Sequence, residues 1–536
     1  MEVVSGVGDG VFWVGLVAIM LERNVGAVGF ALAAAARLGP RALVSAPAGV
    51  LADRVDRRRL LASIDLVRAI SMAVLAVATA ADLDLGWLLA VVFVSYTIAA
   101  PYRPALTAAL PSVAGESDLS KVNAVVSTTR QLMTFIGPVV GAVVVATASP
   151  SVAFWLNAGT FTIAAVLVAG ARSVGGRPLA APVNLTTHRG EWRRDLFGGW
   201  HDVRGTAGLG VIATLVFTMY VARGAELVLF ALAAERTLGM GAAGTGVLTG
   251  AVGLGALVAL PAAARIADVG RVDRVLVAAV LTTGVPLAVL AGLHSSVAAC
   301  AALVVVGAGV VVFEVLSVVV LQRLARRDVM GRVFGVIGAA SNAGKLLGAV
   351  LAPALVAVAQ VSGAFLALGV GVTMIGIGSL PGLIALNRAS RARRDQLRPL
   401  LEVLSGLRLF DGASPAALEQ LASTIAVEEV PADHMVIRQG DRADDLYVVR
   451  SGHLTVVENG VVVNEMAPGD WFGEIGLVQR RRRTATVRAD EPCVLWRIDG
   501  ATFLQALEDG ASASSALMEV MADRLARSRL AAPPHA

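Results

Sequence analysis

The chain has 536 residues, of which 56% are hydrophobic and 16% charged, with a formal net charge of +5. Ordinary soluble domains carry roughly 25% charged residues, so the greater part of this polypeptide does not face water. Its arginines fall in short clusters between apolar runs, which fits membrane topology better than a nucleic-acid surface.

About twelve apolar runs of spanning length precede residue 387, starting near residues 3, 25, 60, 86, 124, 151, 208, 242, 275, 296, 333 and 362. Polar breaks such as ERN at 22–24, DLD at 82–84 and GES at 115–117 separate them. The first run leads into another span and not into a cleavage site, so no removable leader is expected. Every second loop is basic, as with Arg54, Arg57, Arg58 and Arg59 after the second span and Arg323, Arg326, Arg327 and Arg332 after the tenth. That bias places the basic loops, and both termini, on the cytoplasmic side of the cell membrane. Arg23, beside the first span, opposes the assignment and is outweighed by the sum over all loops.

The longest connection, 173–206, separates a first half at about 1–172 from a second at about 207–386. GVLADRVDRR at 49–58 echoes ARIADVGRVDR at 264–274, which points to duplication. Two six-helix halves suit a machine that rocks one half against the other around a midplane site.

Residues 387–399, NRASRARRDQLRP, read as a basic linker. From 400 onward the pattern is soluble. LLEVLSGLRLF has helical spacing, and HMVIRQG, DLYVVRSG, HLTVVENG and VVVNEMAPG are short strands closed by glycine turns. A helix over 513–530 follows. The expected fold is an all-α polytopic membrane domain followed by an α+β domain at 400–536, its β-roll a jelly roll flanked by helices. Cys300 and Cys493 lie in different regions and build neither a disulfide framework nor a metal site.

Charges inside spans are informative because each costs roughly 2.5–3.5 kcal/mol at a helix centre. They are Asp9, Arg37, Arg41, Asp65, Arg68, Arg103, Arg130, Arg223, Glu226, Glu314 and Lys345. Arg223 and Glu226 stand three apart on one helix face and can neutralise each other; Asp65 and Arg68 repeat that spacing. Arg37 and Arg41 put two like charges on one face and need an acidic partner, water or an anionic ligand. Asp9, Glu226 and Glu314 are the carboxylates that could exchange a proton with a cavity, burial raising a carboxyl towards neutrality. A structural ion pair is the alternative for each. Lys345 requires a cavity or a paired carboxylate. GAASNAGKLLG around it fails as a phosphate loop, because Ala339 stands where the first glycine belongs and Leu346 where Ser or Thr must hold Mg²⁺.

GVLADRVDRRR at 49–59, with Gly49, Asp53, Arg54, Arg57 and Arg58, resembles the signature loop of the major facilitator superfamily. Asp56 replaces the glycine usual before those arginines. The resemblance implies a latch on the inward face and not a cargo site. IGPVVGA at 136–142, with Gly137, Pro138 and Gly141, resembles the Gly-Pro motif on the fifth helix of antiporter members. PYRPALTAALP at 101–111 and AFWLNA at 153–158 add a resemblance to the branch of enterobactin and macrolide exporters. Over residues 1–386 these resemblances imply a secondary transporter, a proton-coupled exporter of a small organic molecule.

FGEIGLVQRRRRTAT at 472–486 resembles the phosphate-binding cassette of cyclic nucleotide-binding domains, through Phe472, Gly473, Glu474, Ile475, Gly476, Arg483, Thr484 and Ala485. Gly440, Asp441, Gly452 and Gly469 stand where that family turns its strands. Glycine lets backbone approach a ligand, and arginine pairs with phosphate oxygens through two parallel hydrogen bonds. By resemblance Arg483 takes the cyclic phosphate and Glu474 the ribose 2′-hydroxyl. Thr484 leaves cAMP and cGMP both open, and Met521, Arg524 and Leu525 are open as the base cap. Gln479, Arg480, Arg481 and Arg482 replace the usual Gly-Pro turn.

A helix-turn-helix or a potassium-type filter would mark a transcription factor or a channel, and neither is read here. No nucleophile–base pair, metal cluster or catalytic residue appears, so an enzyme is not expected. The expected partners are a small-molecule cargo, a cyclic nucleotide as regulatory ligand, the lipid bilayer and protons, with no nucleic acid. Two alternatives stay open: a membrane-tethered nucleotide receptor without transport, and an exporter with a relic sensor.

Overall fold

The computed structural model describes residues 2–114, 119–170, 208–266, 272–324, 330–407, 410 and 415–508. Two compact units divide the chain, Met1–Asn387 and Arg388–Ala536.

The first unit is helical throughout its described residues. Its elements are α1 (Glu2–Glu22), α2 (Ala27–Arg54), α3 (Arg57–Ala80), α4 (Leu85–Ile98), α5 (Tyr102–Ala114), α6 (Leu119–Thr147) and α7 (Pro150–Gly170). There follow α8 (Leu209–Arg236), α9 (Gly241–Ile266), α10 (Val272–Val289), α11 (Ser296–Leu324) and α12 (Met330–Gly406). Nine segments among the described residues are long and apolar enough to cross a membrane, fewer than the expected count of about twelve. Three places account for the difference. In the second and fifth spans α2 and α6 are 28 and 29 residues long, but only Ala27–Pro40 and Leu132–Thr147 fall within the described stretches tested for hydropathy. Met330–Ala385 qualifies as a single segment, yet α12 leaves helical geometry at Gln360 (φ 59°, ψ −177°), between the eleventh and twelfth expected spans.

The fourth expected span is itself split into α4 and α5 by a turn at 99–101, where Pro101 lacks the N–H a continuous helix would use. The motif expected on the fifth helix therefore lies on α6. There Gly137 and Gly141 lie against α1: a Cβ on either would stand 3.0 Å from the Cα of Gly10 or of Val11. Small residues let backbones meet where lipid gives no hydrophobic drive for association. Residues 173–206 and 267–271 lie outside the described residues, the latter inside the expected repeat of the loop motif.

In the second unit α13 (Pro415–Thr424) precedes a β-roll. Its strands are β1 (Ala426–Val430), β2 (Met435–Ile437), β3 (Asp445–Ser451), β4 (Leu454–Glu458), β5 (Val461–Met466), β6 (Trp471–Phe472), β7 (Thr486–Ala489) and β8 (Cys493–Asp499). Two short helices, α14 (Glu474–Val478) and α15 (Gly500–Glu508), complete it. Two antiparallel four-stranded sheets face each other, ordered β1-β8-β3-β6 and β2-β7-β4-β5. The strand β3 is buried on both faces, which is why LYVV reads as a continuous apolar run. Leu446 and Val448 join the helical side with Leu404, Phe410 and Phe503, while Tyr447 and Val449 join Phe472, Val487 and Leu495 between the sheets. Residues 387–399, expected as a linker, are helical within α12. The expected helix at 513–530 lies outside the described residues.

Candidate functional site

The cassette is built by a reversal of the chain under β3. Trp471 and Phe472 pair with Val448 and Tyr447, and the Phe472 ring stacks on Tyr447 at 5.2 Å between centroids. Phe472 thus serves the core of the roll. The backbone then turns at Gly473 in the left-handed region, φ +98°. A Cβ at this position would stand 2.5 Å from Nη1 of Arg483 and 3.0 Å from the carbonyl oxygen of Asp445, so only glycine lets the guanidinium pack beneath the turn. The single turn of α14 follows, with Ile475 and Leu477 packed towards the helical core and Gly476 against Ala443.

The arginine run returns the chain to the roll. Arg482 donates to the carbonyl of Gly440 at 2.8 Å, and the backbone of Arg483 bonds to Asp441 and Gly440 at 2.8 and 2.9 Å. Thr484 and Ala485 are half-buried, and the hydroxyl of Thr486 accepts from the Gln439 amide at 3.0 Å. These bonds fix Arg483 from its main chain outward.

Its side chain is 5% exposed. Nη1 donates to the carbonyl of Gly473 at 2.9 Å and Nη2 to that of Asp445 at 2.7 Å, while the buried Nε has no hydrogen-bond partner. Among the described residues no carboxylate pairs with this guanidinium. Glu474, buried at 1% exposure, lies within its electrostatic reach. Burial holds Arg483 below the ordinary arginine value, opposed by Tyr447, Asp445, Asp444 and Glu474. The result is a buried cation whose hydrogen bonds go to backbone carbonyls and not to a carboxylate. Met521, Arg524 and Leu525 lie outside the described residues.

In the first half of the membrane unit, Arg68 does not pair with Asp65. It donates to Asp9 at 2.6 Å, with its guanidinium 3.9 Å above the Phe161 ring and 5.7 Å from that of Tyr96. Asp65 accepts from the Tyr102 hydroxyl at 3.3 Å. The i,i+3 spacing is overridden because Arg68 turns inward to aromatic rings on other helices, where Asp9 of α1 also points. Arg37 lies 5.0 Å from the Trp13 ring and 5.9 Å from that of Tyr96. Such stacking is worth about 0.5–2 kcal/mol.

In the second half Arg223 and Glu226 form the expected pair, at 2.5 Å with Glu226 buried. Tyr220, one turn earlier, donates to Glu314 at 3.2 Å, and Nζ of Lys345 stands 4.6 Å over its ring. Arg103 of α5 is within electrostatic reach of Tyr220. Trp13, Tyr96, Tyr102, Phe161 and Tyr220 were missed by reading charges alone. The signal was present: aromatics are 5% of the chain, yet Arg37, Asp65, Arg68, Glu314 and Lys345 each lie against one.

At the loop motif, Asp56 caps α3 by accepting from the Arg59 amide at 2.8 Å. The position that departs from the glycine pattern thus starts a helix. Arg57 is buried and Arg58 half-buried. Gly49, Asp53 and Arg54 are helical in α2, but their side chains, like those of Arg41 and Arg130, lie outside the described set.

Comparison with known families matches residues 1–403 to the transmembrane secretion effector model and residues 427–509 to the cyclic nucleotide-binding domain model. A cAMP-dependent protein kinase regulatory subunit of Yarrowia lipolytica is 33% identical over 133 residues, 25% of this chain and 36% of that protein. An uncharacterized NTE family protein of Mycobacterium tuberculosis is 40% identical over 113 residues, 21% of this chain and 19% of that one. The solved regulatory domain of Toxoplasma gondii PKA with cAMP is 31% identical, covering 22% of this chain and 46% of its own, at a TM-score of 0.21. This chain spans no more than 36% of the length of those two curated relatives.

Proposed function

We propose, from the premise that this chain belongs to the transmembrane secretion effector family of major facilitator transporters and carries a cyclic nucleotide-binding domain, that it is a proton-coupled exporter of a small organic molecule tuned by cAMP or cGMP. The single observation that carries the regulatory half is Arg483, buried and held only by carbonyl dipoles beside the buried Glu474. The cyclic phosphate would take the guanidinium, the ribose 2′-hydroxyl would bond Glu474, and Gly473, Ile475, Gly476, Thr484 and Ala485 would frame the ligand. The working division is a transporter domain at 1–386, a connecting segment at 387–399 and a sensor at 400–536, with the sensor and both termini cytoplasmic by arginine and lysine bias.

Nucleotide binding would shift the alternating-access equilibrium by about 1–3 kcal/mol, the usual size of such couplings. Proton coupling would run through Asp9, Glu226 or Glu314, whose protonation weakens the bonds to Arg68, Arg223 or Tyr220. Gly49, Asp53, Arg54, Arg57 and Arg58 would latch the inward face.

The test is flux of labelled benzoate, tetraphenylphosphonium and chloramphenicol in proteoliposomes, with and without a proton gradient and with and without cAMP or cGMP. Gradient-driven flux of one probe that changes with nucleotide is expected; flux indifferent to both would overturn the reading. A second reading, a tethered nucleotide receptor without transport, is favoured by the engagement of all three carboxylates with Arg or Tyr. Nucleotide binding with no flux of any probe would select it.

A further inference from the structure

Arg37 is a half-buried charge within α2. It stands about 15 Å along α2 from Ala27, near the middle of a roughly 30 Å hydrocarbon core. Val28 and Leu32 are exposed on the outer side of the same helix, while Phe30, Ala33 and Ala34 are buried. Arg37 follows Phe30, Ala33 and Ala34 at helical spacing and so lies on the inward face, roughly half a revolution round from Val28. A charge on this face points into the helix bundle and not at lipid, the usual placement of a functional charge within a span.

The guanidinium carbon lies 5.0 Å and 5.9 Å from the centroids of two buried rings, Trp13 and Tyr96. Its N–H groups radiate in the plane of the fork, the geometry that meets a carboxylate through two parallel bonds. Among the described residues none of those groups is in a hydrogen bond or an ion pair. The nearby carboxylates are committed elsewhere, Asp9 to Arg68 and Asp65 to Tyr102. Arg68, on the other contact of the Tyr96 ring, is already neutralised by Asp9. Among the described residues the contacts of Arg37 are therefore the two aromatic rings, with neither carboxylate bonded to it.

We propose that Arg37, with Trp13 and Tyr96 behind it, is the anchor of a carboxylate-binding site at mid-depth in the first half of the membrane unit. The cargo class is a small organic acid carrying one carboxylate next to an apolar or aromatic body. This deepens the export reading and rests on it, but its test is equilibrium binding, which needs neither a gradient nor flux.

The full chain in nanodiscs is titrated with benzoate, 1-naphthoate and hexanoate and with their primary amides, followed by tryptophan fluorescence and calorimetry. At least one carboxylate should bind saturably, and its amide at least roughly tenfold more weakly, the discrimination expected of a charge-assisted hydrogen bond. Arg37→Gln should abolish the difference between acid and amide. Arg37→Lys, which keeps the charge and loses the fork, should weaken the acid by roughly tenfold. No binding by any of the three acids, acids and amides binding alike, or acid binding unchanged in Arg37→Lys would each overturn the proposal. Should Arg37→Gln fail to fold, the acid–amide contrast in the unmodified chain and the lysine variant decide it. Binding without transport would uphold the site and remove the export reading; transport of other probes without acid binding would do the reverse.

Discussion

Buried arginines occur in both units of this chain, and they are treated differently. Inside the membrane helices the buried Arg68 and the half-buried Arg223 are each neutralised by a carboxylate, Asp9 at 2.6 Å and Glu226 at 2.5 Å. Arg483, in the β-roll, is no less enclosed yet meets only the carbonyl oxygens of Gly473 and Asp445. A protein that completes its own ion pair is holding itself together. One that carries a buried cation on dipoles alone has left the counter-charge to something that arrives. The same distinction separates Arg68 from Arg37 within a single half.

The largest effect should come from breaking a completed pair. Asp9→Asn leaves the buried Arg68 without its counter-charge and should cost about 3–5 kcal/mol, read as a fall in the unfolding midpoint of the full chain in detergent. Adding Arg68→Met should recover most of that loss. A double variant no more stable than Asp9→Asn would break the comparison.

Gly473→Ala strikes the other site through its backbone. A Cβ at φ +98° costs about 1–2 kcal/mol and presses on the Arg483 guanidinium, so nucleotide affinity should fall along with stability. Asp56→Ala, which removes the cap of α3, should cost about 1 kcal/mol and leave nucleotide affinity unchanged; circular dichroism melts and calorimetry check the two halves of that statement.

The smallest change in stability should follow Arg483→Met. Removing the buried charge relieves its desolvation, which offsets the hydrogen bonds lost by the Gly473 and Asp445 carbonyls, so stability should stay within about 1 kcal/mol of the original. A loss comparable to that of Asp9→Asn would mean that Arg483 is a structural charge after all.

The cassette was legible because it is local. Gly473, Glu474 and Arg483 lie within ten residues, and a left-handed turn followed by a short helix is written in the glycine that opens it. Strands β2 to β5 were legible for the same reason, each ending at a glycine turn, whereas β1 and β7 carry no such punctuation at their ends. Ion pairs between helices were not legible. Asp9 and Arg68 stand 59 positions apart, and the nearer carboxylate at i−3, Asp65, was the natural choice until packing aimed Arg68 at Phe161. Tyr220 was overlooked because a hydroxyl among apolar residues gives no periodic signal, although it joins Glu314 and Lys345. The basic run at 387–399 reads as a linker by charge, and helical hydrogen bonding is indifferent to that charge.

The claim on which the rest depends is that Arg483 waits for an anion. Calorimetric titration of cAMP and of cGMP into the full chain and into Arg483→Met tests it most directly. One saturable site in the unmodified protein, with the heat lost in a variant that remains folded, is the predicted result. No heat from either nucleotide, or the same heat in both proteins, would contradict it.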